Sequence, residues 1–93
     1  MSDIIDRLTA VIADRQANPR PGSYTCQLLA AGTPLAARKL GEEAIEAVVA
    51  ALAEDDGRLL EEAADVVYHL LVLLASRSLS WADVERALEA RAR

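Results

Sequence analysis

The sequence predicts an all-α fold, a single bundle of four to five helices over residues 1–93. Hydrophobic residues make up 53% of the chain, yet Phe is absent, so the apolar residues are mainly Ala, Leu, Val and Ile. Together with Glu and Arg these residues favour helices, and 4 Gly and 3 Pro are too few for the turns of a β-sandwich or barrel. Because so short a chain cannot bury all of this apolar surface alone, we expect a homodimer or a larger helical assembly to complete the bundle.

Apolar periodicity and helix-breaking residues place the first two helices. Large aliphatic residues recur at helical spacing near the N-terminus, which predicts a helix over 2–17. Pro19 and Pro21 end this helix, since proline lacks a backbone N–H and disfavours helical geometry in the residue before it. A short second helix then follows and ends at Gly32.

Capping signals place the other three helices. Thr33 followed by Pro34 is typical of an N-cap and a first helical position, so we expect the third helix to begin at Pro34 and to end near residue 53. A Gly after an acidic turn predicts a fourth helix over about 58–76. Ser80 and Asp83 fit a capping box, which predicts the start of a fifth helix.

Charge, cysteine content and hydropathy exclude several functional classes. The formal net charge of −5 is unfavourable for binding nucleic acid or an anionic membrane surface. Cys26 is the single cysteine, so the chain cannot form an internal disulfide. The densest apolar stretch, 66–75, is far shorter than a membrane span, and the first residues lack the basic and apolar regions of a signal peptide. We therefore expect a soluble, cytoplasmic protein.

Two acidic residues of the third helix lie on a side that is otherwise suited to close packing. Glu43 and Glu46 lie opposite the main apolar stripe, and Lys39 precedes them by one turn. That stripe is the predicted core side of the helix and consists of Leu40, Ala44, Ile45, Val48, Val49 and Leu52. The acidic side continues with small residues, Ala47, Ala50 and Ala53. We therefore expect Glu43 and Glu46 to face a neighbouring helix rather than bulk water.

The fourth helix repeats this arrangement. Its predicted core stripe is Leu59, Ala63, Val67, Leu70, Leu71 and Leu74. Glu62, Asp65 and His69 share a different face, which also carries large aliphatic residues, so we expect Glu62 and Asp65 to be at least partly buried. An ion pair with Arg58 or Arg86 is the alternative for these two acids.

Four carboxylates, from Glu43, Glu46, Glu62 and Asp65, are expected to meet where the two helices pack. Buried carboxylates are costly unless they are paired or bound to a cation, and one lysine cannot neutralise four of them. We therefore expect a divalent metal ion, and ligation by oxygen alone suits Mg²⁺, with Mn²⁺ also possible. A carboxylate-rich di-iron site would need Glu-x-x-His on two helices, and the chain has one His, which we expect to be hydrogen-bonded rather than a ligand.

An acidic metal site favours a phosphate-bearing substrate, because a divalent ion can bridge enzyme carboxylates and phosphate oxygens. Arg20, Arg38 and Lys39 are the basic residues best placed in the sequence to contact phosphates. From the residues alone, the expected function is metal-dependent hydrolysis of a phosphoanhydride. The nucleotide stays undefined at this point.

The order of these motifs resembles a known family. Glu42-Glu43-Ala44-Ile45-Glu46, then 15 residues, then Glu62-Ala63-Ala64-Asp65, resembles the EExxE…ExxD pattern of the MazG-like all-α nucleotide pyrophosphohydrolases. Four flanking segments are similar to those of the phosphoribosyl-ATP pyrophosphatase family within it: Ser23-Tyr24-Thr25, Lys39-Leu40-Gly41-Glu42-Glu43-Ala44, Glu61-Glu62-Ala63-Ala64-Asp65 and Tyr68-His69-Leu70-Leu71-Val72-Leu73-Leu74. The likeness extends from about residue 19 to the C-terminus.

The resemblance implies a MazG-like fold and an enzyme of histidine biosynthesis. The implied reaction is the Mg²⁺-dependent hydrolysis of 1-(5-phosphoribosyl)-ATP to 1-(5-phosphoribosyl)-AMP and pyrophosphate. The four carboxylates named above would be the metal ligands, and Glu42 would be an outer acid or the group that orients water. Lys39 would bind phosphate, and Ser23, Tyr24 and Thr25 would lie at the substrate mouth. A homodimer and a stand-alone enzyme without a cyclohydrolase domain are implied as well.

Two positions depart from the family pattern, and two other functions stay open. Arg38 stands where a second Lys is common, and Ser78 stands where Gly often follows the fourth helix, so we expect a slightly different turn there. One alternative function is a house-cleaning nucleoside triphosphate pyrophosphohydrolase of the same superfamily. The other is a non-catalytic helical dimerisation module.

Overall fold

Five helices make up the fold in the computed structural model, which describes residues 3–92. They are α1 (Asp3–Ala17), α2 (Tyr24–Ala31), α3 (Thr33–Ala53), α4 (Asp56–Ser76) and α5 (Trp81–Arg91). The described part of the chain contains no strand, so the all-α prediction is confirmed. None of its helices is both long and apolar enough to cross a membrane.

The two longest helices form the framework of the molecule. α3 and α4 have 21 residues each, are joined by a two-residue connection and pack along each other as an antiparallel pair. α1 and α2 pack against α4, and α2 also contacts α3. The buried core lies where these helices meet and consists of Ile12, Leu28, Ala36, Leu71 and Val72. Trp81, the first residue of α5, packs against this core from the far end of α4.

Two predicted helix starts are wrong by one or two residues. α3 begins at Thr33 with Gly32 as its N-cap, and the Thr33 hydroxyl instead forms a 2.9 Å hydrogen bond with the Ser76 hydroxyl. α4 begins at Asp56, because the Asp55 carboxylate accepts a 2.9 Å hydrogen bond from the Arg58 backbone N–H and so caps the helix earlier. The predicted start of α1 at Ser2 lies outside the described residues.

The capping box predicted at the start of α5 is present, and the turn before it, at the end of α4, holds Ser78 in an unusual conformation. Ser80 and Asp83 form the capping box, with the Ser80 backbone N–H donating to Asp83 Oδ2 at 2.8 Å. At the end of α4, Ser78 adopts φ +58°, the left-handed conformation that Gly favours. Hydrogen bonds from Ser78 N to Ala75 O (3.0 Å) and from Leu79 N to Leu74 O (2.8 Å) complete a Schellman ending.

The predicted core stripe of α3 is wrong for the single chain. Ile45, Val48, Val49 and Leu52 are exposed, Leu52 to 83%. We call these four residues the apolar face of α3. The side of α3 that packs inside the chain is the one with small residues and acids, where Ala36 and Ala50 are each 1% exposed. Small side chains let α3 approach α4 closely, and Glu43, on the same side of α3, is half-buried, whereas Glu46 is exposed.

Candidate metal centre

Three carboxylates from two helices converge on one small volume. Glu43 of α3 and Glu62 and Asp65 of α4 each offer one oxygen, and these oxygens lie within 4.8 Å of one another. The antiparallel packing brings Glu43 to this level of α4, and the spacing of three residues places Glu62 and Asp65 on one helix face. We call these three residues the acid group.

Burial differs across the acid group. Glu62 is 5% exposed, as its predicted partial burial requires, and Glu43 is half-buried. Asp65 is exposed, so the prediction of its burial is wrong: this side chain stands at the open edge of the α3–α4 contact. The group is therefore closed on the Glu62 side and open on the Asp65 side, which leaves a path for a ligand from solvent.

The fourth predicted carboxylate, that of Glu46, lies next to the acid group without completing it. Glu46 is exposed and is outside the set of oxygens within 4.8 Å, but it is close enough to Glu43 to raise the pKa of that carboxyl. The pKa of Glu43 is raised by burial first, then by Glu46 and by the negative charge of Asp65, against a smaller opposing effect of His69. Like charges held this close disfavour ionisation, and a bound cation would reverse that effect.

The two carboxylate oxygens of Glu62 have different surroundings. Oε2 accepts a 2.7 Å hydrogen bond from Arg58 Nη2, so the ion pair that the i, i+4 spacing offered as an alternative is present. Oε1 is buried and has no hydrogen-bond partner among the described residues. A buried carboxylate oxygen without a partner is costly, and a hard divalent cation is a ligand that satisfies it. The donor set of the acid group, carboxylate oxygen alone, fits such an ion.

Glu42 and the neighbouring cations lie outside the acid group. The Glu42 carboxylate lies 3.4 Å from Lys39 Nζ and 3.6 Å from Arg38 Nε, and its side chain is 49% exposed. Lys39 is the more buried of the two cations, at 34% side-chain exposure against 66% for Arg38. We call these three side chains the polar rim; they lie on α3 within the turn that precedes Glu43.

The structure does not bring Arg20 to the acid group. Its guanidinium lies 3.3 Å from the Asp14 carboxylate, and its side chain is 60% exposed. The backbone N–H of Arg20 donates to Cys26 Sγ at 3.3 Å, which fixes the loop against the first turn of α2. Nothing in the spacing of the sequence indicated the pairing with Asp14, because it depends on how this loop folds back along α1.

Of the three residues expected at the substrate mouth, Tyr24 contacts the site most directly. Ser23 caps α2, its hydroxyl accepting from the Cys26 N–H at 3.2 Å, and the Thr25 hydroxyl is hydrogen-bonded to the hydroxyl of Tyr68. Tyr24 is 45% exposed, and burial is the first cause that raises the pKa of its phenol, with Tyr68, Glu43 and Glu42 acting in the same direction and Lys39 opposing. The negative charges of Glu42 and Glu43 therefore act on the Tyr24 phenol.

His69 is buried beneath the two tyrosines and is hydrogen-bonded at both ring nitrogens. Nε2 lies 3.0 Å from the Tyr24 hydroxyl, and Nδ1 lies 2.7 Å from the backbone oxygen of Asp65. It is 6% exposed, with the Tyr24 and Tyr68 rings against its edges at 5.8 and 5.0 Å. The prediction of a hydrogen-bonded histidine is confirmed. Tyr68 was missed, although its position three residues after Asp65 places it on the same helix face.

The comparisons with known proteins agree with this arrangement of residues. A family model described as Phosphoribosyl-ATP pyrophosphohydrolase matches residues 5–92. The chain is 48% identical to the phosphoribosyl-ATP pyrophosphatase of Ignicoccus hospitalis over 93 residues, which are 100% of this chain and 91% of that protein. It is 52% identical to that of Pyrobaculum calidifontis (95% of this chain, 94% of that protein) and 44% identical to that of Saccharolobus solfataricus (97% and 96%). The chain therefore belongs to the phosphoribosyl-ATP pyrophosphohydrolase family.

Proposed function

We propose that this protein is the Mg²⁺-dependent enzyme of histidine biosynthesis that hydrolyses 1-(5-phosphoribosyl)-ATP to 1-(5-phosphoribosyl)-AMP and pyrophosphate. The observation that carries the proposal is the acid group, with the buried and unpartnered Oε1 of Glu62, in a member of this family. Relatives that match nearly the whole chain are named for this activity. The 93 residues would act as one catalytic domain.

Three residues of the chain would hold the metal ion directly. Glu43, Glu62 and Asp65 have oxygens at ligand spacing, and Glu46 would supply a fourth by rotating from its contact with Glu43. When bound, Mg²⁺ or Mn²⁺ would neutralise phosphate charge and lower the pKa of a water. Arg58 holds Glu62 through Oε2, so Oε1 stays turned away from this ion pair and available as a ligand atom.

The polar rim would bind the phosphates and orient the substrate. Lys39, which is half-buried one turn before Glu43, is the cation best placed for a phosphate oxygen. Glu42, which Lys39 and Arg38 hold, would accept a proton from or orient the attacking water. Arg20 would reach phosphate only after leaving Asp14, so we assign it a smaller contribution than Lys39.

We propose that the functional unit is a homodimer that buries the apolar face of α3. Ile45, Val48, Val49 and Leu52 follow a helical spacing of three and four residues and form one contiguous surface between 48% and 83% exposed. A large apolar helix face is rarely left in water by a soluble protein, and a second copy of the chain offers the same face in return.

The single cysteine and the absence of any possible internal disulfide are consistent with a cytoplasmic setting.

Release of pyrophosphate from purified substrates tests the proposed reaction. With Mg²⁺ present, we expect rapid release from phosphoribosyl-ATP and slow release from a panel of standard and modified nucleoside triphosphates. Preference for the panel would identify a house-cleaning pyrophosphohydrolase instead. No metal-dependent turnover of any nucleotide would leave the non-catalytic dimerisation module as the better account.

A further inference from the structure

The hydrogen bonds of His69 define which atom carries the proton in each contact. The Asp65 backbone oxygen can only accept, so the 2.7 Å contact requires a proton on Nδ1 of His69. In the neutral ring Nε2 is then an acceptor, and the Tyr24 hydroxyl at 3.0 Å must donate its hydrogen to it. The phenolic hydrogen of Tyr24 is thus committed to the protein interior.

This arrangement leaves the Tyr24 oxygen with lone pairs and no hydrogen to offer to a ligand. Tyr24 is 45% exposed, whereas His69 beneath it is 6% exposed, so the phenol is the accessible end of the pair. Its electrostatic neighbours include Lys39, Glu43 and Glu42, which places it at the rim where the nucleotide would enter. A phosphate oxygen is an acceptor and gains nothing from a second acceptor, but a hydroxyl group can donate to it.

A second contact makes the orientation of the phenol rigid. The Thr25 hydroxyl is hydrogen-bonded to Tyr68, so two consecutive residues of α2 are tied to two consecutive residues of α4. The Tyr24 and Tyr68 rings stack with centroids 6.3 Å apart, and both pack edge-on against the imidazole. The Tyr24 side chain is therefore held against the same turn of α4 that carries Asp65.

We propose that His69 is a positioning residue that fixes Tyr24 as a hydrogen-bond acceptor for a ribose hydroxyl of the nucleotide. Tyr24 then selects the nucleoside part of the substrate and leaves the phosphates to the cations and the metal ion. This inference rests on the proposed function, because it takes a ribose-bearing nucleotide as the ligand. It predicts a role in binding, expressed in KM, and no role in the chemical step.

The protonation state of His69 can be measured without any substrate. The chain has one His, so protein labelled with ¹⁵N-histidine gives the signals of this imidazole alone. We expect the neutral ring to carry its proton on Nδ1 and not on Nε2, and we expect Tyr24→Phe to shift the Nε2 signal. A proton on Nε2 with Nδ1 unprotonated would overturn the inference.

Kinetics of matched variants test the assigned role. His69→Gln places an amide oxygen near the position of Nε2 and keeps the acceptor for Tyr24, whereas His69→Asn keeps a donor for Asp65 and loses that acceptor. We expect Tyr24→Phe and His69→Asn each to raise KM for phosphoribosyl-ATP by about 3- to 10-fold, the loss of one hydrogen bond, at nearly unchanged kcat. We expect His69→Gln to stay within about 2-fold of the wild type.

The control is Thr33→Val, which removes the hydroxyl that is hydrogen-bonded to Ser76 at the start of α3 and should leave KM unchanged. Tyr24→Phe should also leave inhibition by pyrophosphate unchanged, because pyrophosphate has no ribose. An equal effect of His69→Asn and His69→Gln, or a loss of kcat at constant KM in Tyr24→Phe, would overturn the inference. A wild type that does not hydrolyse phosphoribosyl-ATP would overturn the proposed function, while the tautomer measurement still decides the geometry at His69.

Discussion

Glu62 combines two tasks that are usually given to separate residues. Its Oε2 accepts from the Arg58 guanidinium at 2.7 Å, which holds the side chain in one orientation, and its buried Oε1 is without a partner among the described residues. Arg58 also pairs with the exposed Glu61 next to it. Glu61 therefore pairs with the same arginine as Glu62 but is exposed. A comparison of variants at these two positions distinguishes loss of the ion pair with Arg58 from loss of the buried carboxylate oxygen.

Replacing Glu62 by Gln should abolish activity and metal binding together. We expect Glu62→Gln to lower kcat/KM for phosphoribosyl-ATP by at least about 100-fold, because the ligand charge is lost. Millimolar Mg²⁺ should raise the melting temperature of the wild type and should not raise that of the variant. At a Mg²⁺ concentration of ten times Kd, the free energy of unfolding of the wild type should increase by about 1.4 kcal/mol. Glu61→Gln is the matched control and should behave like the wild type in both measurements. A Glu62→Gln protein with normal turnover would contradict the ligand assignment.

At the residue scale, spacing along a helix predicted contacts within that helix and failed for contacts that depend on tertiary rotation. Glu62 and Asp65 share a face because they are three residues apart, and the pairing of Arg58 with Glu62 follows from i, i+4 spacing. The exposure of Asp65 depends on how α4 is rotated about its axis relative to α3, and helical periodicity does not predict that rotation. The pairing of Arg20 with Asp14 depends on a loop, where no periodicity exists.

At the scale of the helices, the turn after α4 carries a residue that fits its backbone poorly. Ser78 adopts φ +58°, and a Cβ in this region is strained by about 1–2 kcal/mol. The Schellman hydrogen bonds of Ser78 and Leu79 hold the residue there. This turn sets the direction in which α5 leaves α4. The chain therefore keeps the strained conformation at Ser78 because it is needed for that direction.

Ser78→Gly should therefore stabilise the protein. Relief of the strain exceeds the extra entropy that Gly gains in the unfolded chain, and the net gain should be about 0.5–1 kcal/mol in the free energy of unfolding. Chemical denaturation measures it. Ser78→Ala, which keeps the Cβ, serves as the control and should give no gain. Equal stability of the two variants would show that the left-handed conformation is not maintained in solution.

The capping box of α5 should make the stability of this helix depend on pH. The pKa of Asp83 lies below its usual value because its carboxylate accepts from the backbone N–H and then the hydroxyl of Ser80, with a smaller effect of Arg86. A pKa that folding lowers stabilises the folded state above the unfolded value of 3.8 and loses this effect as pH falls through the folded value. Asp83→Asn should thus melt below the wild type near about pH 6, and the difference should shrink as the pH falls below 3.8. Leu88→Ala, on the same helix, changes no titratable group and should differ from the wild type by the same amount across this pH range.

Capping chemistry predicted the described helix boundaries to within two residues, but periodicity did not predict which face of α3 turns inward. The capping box at Ser80 could be predicted because both partners lie within four residues. For α3, the sequence offered two sides that both suit packing, one with large aliphatic residues and one with alanines and acids. Periodicity cannot decide which side meets the same chain, and in the structure it is the side of Ala36 and Ala50.

At the scale of the whole molecule, the apolar face of α3 predicts the state of association. The chain has a mass of 10.0 kDa, so light scattering should give about twice that mass for the wild type. Val48→Glu places a charge in the middle of this face, and we expect it to give a monomer. Leu88→Glu, at an exposed leucine of α5 outside this face, is the control and should stay dimeric. A monomeric wild type, or a dimer lost with Leu88→Glu alone, would contradict the proposed interface.

The few Tyr and Trp rings lie in two separate places, one between α2 and α4 and one at the start of α5. Tyr24 and Tyr68 stack beside the acid group, and the single tryptophan, Trp81, packs against the core at the start of α5. Since the chain has no Phe, its near-ultraviolet absorbance arises from these three rings. Tyrosine difference absorbance therefore monitors the surroundings of Tyr24 and Tyr68, while tryptophan emission monitors the start of α5. One unlabelled sample thus gives two separate optical signals, which distinguish occupancy of the site from melting of the bundle.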